Sequence, residues 1–195
     1  MANLVRKLYE LGVVDASFVG LNSTPVMANT KQNKPKSFAN SRFSKETHSK
    51  SVLDCALGVH SASNQHNERR YEFYWGYKSH VPVGCISGLP LYELTTPGNI
   101  ADSAVAAEIL AAADQTISLK ECAFLFKRTY ALRTECERYN SRFKSTGQER
   151  PWVRNGTSAA TLNTLAHISA LTVALTAVLH GSHAYRSAKQ LRRSA

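Results

Sequence analysis

The chain has 195 residues, 43% hydrophobic and 19% charged, a balance that excludes a disordered polyelectrolyte and leaves enough material for a buried core. Lys and Arg outnumber Asp and Glu by 24 to 14, a formal charge of +10 that favours a polyanionic partner over an acidic one. Cys55, Cys85, Cys122 and Cys136 are scattered without a Cys-x-x-Cys pair, and His180 and His183 lack a third ligand, so neither a structural zinc site nor a disulfide framework is expected.

The first dozen residues carry Leu4, Val5, Leu8 and Leu11 at helical spacing and stop at Gly12. They lack the long apolar run of a secretory signal, so a cytoplasmic location is expected. Residues 18–21 read as a short buried strand ending at Asn22. Residues 29–50 are polar and basic, with Lys31, Lys34, Lys36, Arg42, Lys45 and Lys50 against Glu46. The segment is expected to be a loop, either in contact with a nucleic-acid backbone or simply solvated.

Residues 52–59 form a second strand candidate and residues 71–78 a clearer third. Alternation in the third places Tyr71, Phe73, Trp75 and Tyr77 on one face. Such a row serves as sheet core or as a stacking surface for bases. Residues 84–88 supply turn chemistry and 89–95 a returning strand. Asn99 and Asp102 are candidate N-caps of a helix through Val105, Ile109 and Leu110. A second helix is expected over 119–144, stopped by Gly147 and Pro151. Residues 158–179 contain no charged side chain. About 20 apolar residues can cross a bilayer. The segment also holds Asn163, His167 and several Thr, and Leu162, Leu165, Ile168, Val173, Leu175, Val178 and Leu179 recur at threes and fours, the pattern of a core-packing helix. A basic tail with Arg186, Lys189, Arg192 and Arg193 follows.

Within 119–144, Tyr130, Arg133, Glu137 and Lys144 are spaced Tyr-x2-Arg-x3-Glu-x6-Lys. On a helix these offsets fall within a stripe about 60° wide. A carboxylate there can hold a divalent ion, and cations beside it can hold a DNA backbone. The plainer alternative for Glu137 is an ion pair on the helix surface with Arg133, Arg138, Arg142 or Lys144.

The stripe resembles the Tyr-Arg-Glu-Lys signature of the insertion-sequence DDE transposases, and other segments agree with that family in order. Residues 22–38 are similar to the segment that begins with the first catalytic Asp. Residues 73–103, with Phe73-Tyr74-Trp75-Gly76-Tyr77-Lys78, His80, Ser87-Gly88-Leu89-Pro90 and Thr96-Pro97-Gly98-Asn99-Ile100-Ala101-Asp102-Ser103, are similar to the central hairpin and the helix start after it. The resemblance covers roughly residues 10–180 with one large gap. It implies an α/β, ribonuclease-H-like domain over 17–180, a small, mainly antiparallel sheet with C-terminal helices. Residues 1–16 would be the remnant of an N-terminal DNA-binding region, and 181–195 a basic tail. It further implies DNA with terminal inverted repeats and other transposase subunits as partners, no membrane, and Mg²⁺ as cofactor. Glu137 takes the place of the last catalytic carboxylate and metal ligand. Tyr130, Arg133, Lys144, Lys31, Lys34 and Lys36 become DNA contacts.

Two departures bear on activity. Asn22 stands where the family has its first Asp. The strand–helix–strand section bearing the second Asp is missing, Asp114 being a poor substitute and Asp102 matching a separate Asn-x-x-Asp-Ser position. One carboxylate of three remains, so this copy is expected to lack catalysis.

Overall fold

The computed structural model describes residues 1–30, 33, 51–63, 69–117 and 126–181, with the side chains of 61–70, Glu72 and 126–134 outside that description. The architecture is mixed α/β: a five-stranded antiparallel sheet with helices on both faces. Its elements are α1 (Ala2–Glu10), β1 (Val19–Met27), β2 (Ala56–Ser63), β3 (Arg69–Gly84), β4 (Leu89–Pro90), β5 (Leu94–Pro97), α2 (Asp102–Thr116), α3 (Phe126–Ser145) and α4 (Gly156–Leu179).

β3 organises the sheet. Its 16 residues pair with all of β1 along one edge, while β2, β5 and β4 follow one another along the other. It is twice the length read from the sequence because polar positions such as Lys78, Ser79 and His80 continue the ladder between β1 and β5. Trp75 and Tyr77 are buried, as is Tyr74 on the opposite face, so the aromatic centre is core; Tyr71, at the far end, is 51% exposed. Gly76 takes part in both ladders, and a Cβ there would lie 2.2 Å from the Val26 carbonyl oxygen, so glycine lets the strands close up.

Three expected boundaries are corrected. β1 does not end at residue 21 but runs to Met27, so Asn22 sits within the strand rather than at its end. The polar run Asn22-Ser23-Thr24-Pro25 looks like loop, but β3 opposes it residue for residue, and Thr24 is buried. β2 begins at Ala56, four residues after the start expected; Val52 and Cys55 pack into the core from the turn before it. The returning strand is split into β4 and β5, and Glu93 between them turns into a buried polar cluster.

The helices close the two faces. α1 buries Val5 and Leu8 against Leu89, Leu91, Ala113, Leu171 and Ala174, so it belongs to the same body as the sheet. Asn99 and Asp102 do not cap α2; Ala101 is at the N-cap without a side-chain bond, and Asp102 is the first helical residue. α4 is capped instead by Asn155, whose Oδ1 accepts from the Ser158 N–H at 2.7 Å. α4 is long and apolar enough to cross a membrane by length and composition. Its buried face differs from the one expected: it consists of Ala159, Asn163, His167, Leu171, Ala174 and Ala177, while Leu165 and Leu179 are exposed. Small residues on that face let the helix lie close to the sheet, and its two polar members bond to sheet and helix groups described below.

Candidate functional site

The arrangement of α3 on β1 decides which candidate residues can act together. Directly opposed residues in an antiparallel pair share a face, so Gly20, Asn22, Thr24 and Val26 lie with Val83, Val81, Ser79 and Tyr77. That face is covered by α3 and α4: Cys136 and Tyr139 pack with Val81, Val83 and Cys85, and His167 meets Ser79. A Cβ on Gly20 would stand 2.3 Å from Cys136 Sγ, so the missing side chain is what lets α3 approach the strand. One turn later, Asn140 Nδ2 donates to the Ser23 carbonyl at 3.4 Å. Residues 20–23 of β1 therefore run alongside 136–140 of α3, which brings the strand that holds Asn22 beside the helix that holds Glu137.

α3 is helical throughout Phe126–Ser145, so Tyr130, Arg133, Glu137 and Lys144 all lie on one helix. Cys136, Tyr139, Asn140 and Phe143 form its buried stripe, with Glu137 exposed on the flank nearer Asn140. Three of the cations considered as partners for Glu137 make other bonds: Arg138 pairs with Glu135, Arg142 Nη2 donates to the Gly88 carbonyl at 3.0 Å, and Lys144 Nζ lies 3.3 Å from Glu149. Lys31, Lys34 and Lys36 lie outside the described residues, as do the side chains of Tyr130 and Arg133.

The donor set does not fit a two-metal pair. Asn22 Oδ1 accepts from the Ser23 N–H at 2.9 Å, which turns its one metal-seeking oxygen to the backbone. Among the described residues no three His, Cys, Asp or Glu side chains converge as a metal site. Asp102 is no substitute for a missing ligand, because it lies across the sheet. It contacts His80 and Ser23, which face away from Asn22, and the His80 bond holds its carboxyl below the usual carboxylate range. Asp114, in the last turn of α2, is exposed.

Two polar clusters were not legible in the sequence. In the first, His80 is fully buried, with Nδ1 3.0 Å from Asp102 Oδ1 and Nε2 2.8 Å from Thr96 Oγ1. The order hydroxyl–imidazole–carboxylate is that of an activated nucleophile. With the imidazole sealed from solvent, however, its effect is to fasten β3, β5 and α2 together. In the second, His167 of α4 is fully buried and stacks on Phe143 and Tyr139, with Nδ1 2.5 Å from Tyr139 Oη and Nε2 3.4 Å from Ser79 Oγ. Glu93 lies beyond Ser79 and accepts hydrogen bonds from Ser79, Thr95 and Thr164, while Asn163 donates to Thr95 at 2.7 Å. Burial pushes the His167 pKa down to about 3 and raises that of Glu93.

The loop from α3 to α4 adds a third feature. Met27 N–H donates to the Glu149 carbonyl and Asn29 N–H to the Val153 carbonyl, each at 2.8 Å, which seats the loop at the end of β1. Between those bonds Trp152 is 90% exposed, with exposed Arg150 and Arg154 on either side. Its signal in the sequence was a lone Trp between two Arg, in a segment read only as a helix stop.

No family model, curated protein or solved structure matches this chain.

Proposed function

We propose that this chain is a DNA-binding protein of insertion-sequence DDE transposase descent, which holds DNA through phosphate contacts and neither cleaves nor joins it. The observation that carries the reading is the register of α3 on β1. Gly20 and Ser23, on the strand that carries the position of the family's first Asp, lie against Cys136 and Asn140 of the helix that carries the Glu of its signature, and this packing supports a common descent for the two. The positive charge and the Tyr130–Arg133–Glu137–Lys144 stripe support the same reading. On this view the body is a ribonuclease-H-like domain that has lost its central strand–helix–strand section, and β1 forms a sheet edge where that section is missing.

The family's chemistry uses Mg²⁺ held by three carboxylates, whose charge offsets two dications beside a phosphate. Here Glu137 is the one carboxylate of the three, and Asn22 keeps a carbonyl oxygen without its charge. The residues that remain can bind and orient DNA but cannot make up that pair. A fragment of this kind could also join full-length subunits as an inactive partner. α4 is read as a helix of the body rather than a membrane span, because Asn163 and His167 bond into the sheet and would lose those partners in lipid.

The test is incubation of supercoiled DNA with the chain and Mg²⁺ or Mn²⁺. The expected result is DNA that is retarded on a gel yet uncut, with Asn22→Asp equally unable to nick. Metal-dependent nicking that disappears in Glu137→Ala would overturn the claim of inactivity. Absence of any retardation at low salt would overturn the claim of DNA binding.

A further inference from the structure

We propose that Trp152 is a stacking platform for an unpaired base of DNA, with Arg150 and Arg154 holding the phosphates on either side. The proposal rests on the DNA-binding reading above and adds to it the form of DNA recognised.

The chain contains two tryptophans with opposite fates. Trp75 is fully buried in the sheet core, while Trp152 leaves 90% of its surface in water. Tryptophan is highly buried on average, so an indole exposed to this degree marks a surface prepared for a partner. The loop does not offer it loosely. The backbone bonds from Met27 to Glu149 and from Asn29 to Val153 fix the chain on both sides of it. Pro151 is buried, and Val153 packs against the cluster of Val26, Val52 and Trp75. Immediately afterwards, Asn155 caps α4 and the Asp54 carboxylate accepts from the Gly156 N–H. A rigid aromatic costs little conformational entropy on binding, and every nucleobase has a face on which to stack.

Charge selects the partner. Arg150 and Arg154 flank Trp152 in the chain, two residues away in each direction; both are exposed and form no ion pair among the described residues. A guanidinium suits a phosphate oxygen in geometry as well as in charge. Cations alternating with an aromatic fit a nucleotide strand whose bases are free to turn outward. In a closed duplex the base faces are already stacked, so the preference should be for single strands, ends or frayed junctions.

The experiment uses the intact chain and two probes, a closed duplex oligonucleotide and a single-stranded oligonucleotide of the same length, at low salt. Binding is followed by tryptophan emission and by gel retardation, for the wild type, Trp152→Ala and Trp152→Phe. Thermal melting checks that the variants fold, and a fully solvated side chain should leave the midpoint nearly unchanged. The expected result is quenching of the exposed-indole emission by the single strand. Trp152→Ala should weaken single-strand affinity about 5- to 150-fold, and more than duplex affinity, with Trp152→Phe in between. Trp152→Ala binding the single strand as tightly as the wild type would overturn the platform while leaving DNA binding intact. Failure of the wild type to bind either probe would instead sink the DNA reading itself. A blue shift with anionic lipid vesicles and none with DNA would assign the indole to a membrane surface and also overturn the proposal.

Discussion

His167 offers the sharpest test of the packing. Its imidazole is fully buried between Tyr139 and Phe143, and burial holds its pKa at about 3 against an ordinary 6.5. The folded state therefore keeps the ring neutral where the unfolded chain would protonate it. Because the folded value is depressed, the stability is fully present above pH 6.5 and is lost as the pH falls from there towards 3. A tenfold change in proton affinity is worth about 1.4 kcal/mol, so the whole window corresponds to roughly 4–5 kcal/mol. A domain of this size has about 5–15 kcal/mol in total. Glu93 titrates with the opposite sign, since burial raises its pKa, and Asp102 with the same sign as His167. A comparison of the wild type with His167→Gln removes both, because they are common to the two proteins. Urea unfolding between pH 6 and pH 4 should show the wild type losing about 1.4 kcal/mol per pH unit more than His167→Gln, although the variant is less stable at pH 7. Parallel pH dependences would show that the ring can take up a proton in the folded state, and would refute its placement.

Trp75→Ala should destabilise the protein by about 3–5 kcal/mol, measured by chemical denaturation, because it empties the centre of the sheet core; a loss below about 1 kcal/mol would contradict the buried assignment. Glu149→Gln should strengthen DNA binding at low salt, since it removes the carboxylate 3.3 Å from Lys144 and leaves that ammonium for a phosphate. Unchanged affinity in a gel-shift titration would place Lys144 outside the DNA surface.

What the sequence revealed, and what it concealed, follows from the range of the interactions involved. The final helix read over 158–179, the aromatic strand and the helical phase of Tyr130, Arg133, Glu137 and Lys144 are local patterns, and each stands on a regular element in the structure. The extension of β1 through Ser23, Thr24 and Pro25 was hidden, because those residues have turn chemistry and are held extended by a partner some 50 residues away. The buried face of α4 was misread for a related reason. Its Leu and Val positions look like core, yet Asn163 and His167 are drawn inward by Thr95, Ser79 and Tyr139, and Leu165 and Leu179 are left facing outward. Asp102 passed for a helix cap until the buried His80 beside it gave its carboxylate another use. Trp152 carried no periodic signal at all, since its exposure depends on where the ends of its loop are fastened. The same limit applied to the strand that holds Asn22 and the helix that holds Glu137, which are 115 positions apart in the chain and are joined through Gly20, Cys136, Ser23 and Asn140.

On the function proposed above, this chain holds DNA through phosphate contacts. The most direct measurement is the affinity for a duplex oligonucleotide as monovalent salt is raised from 50 to 200 mM. Each phosphate neutralised by Lys or Arg releases counterions, so four or five contacts should cost on the order of 100-fold in affinity across that range. A linear fall of log affinity with log salt, at that steepness, is the expected result. Affinity that stays level across the range, or no binding even at 50 mM, would contradict the account.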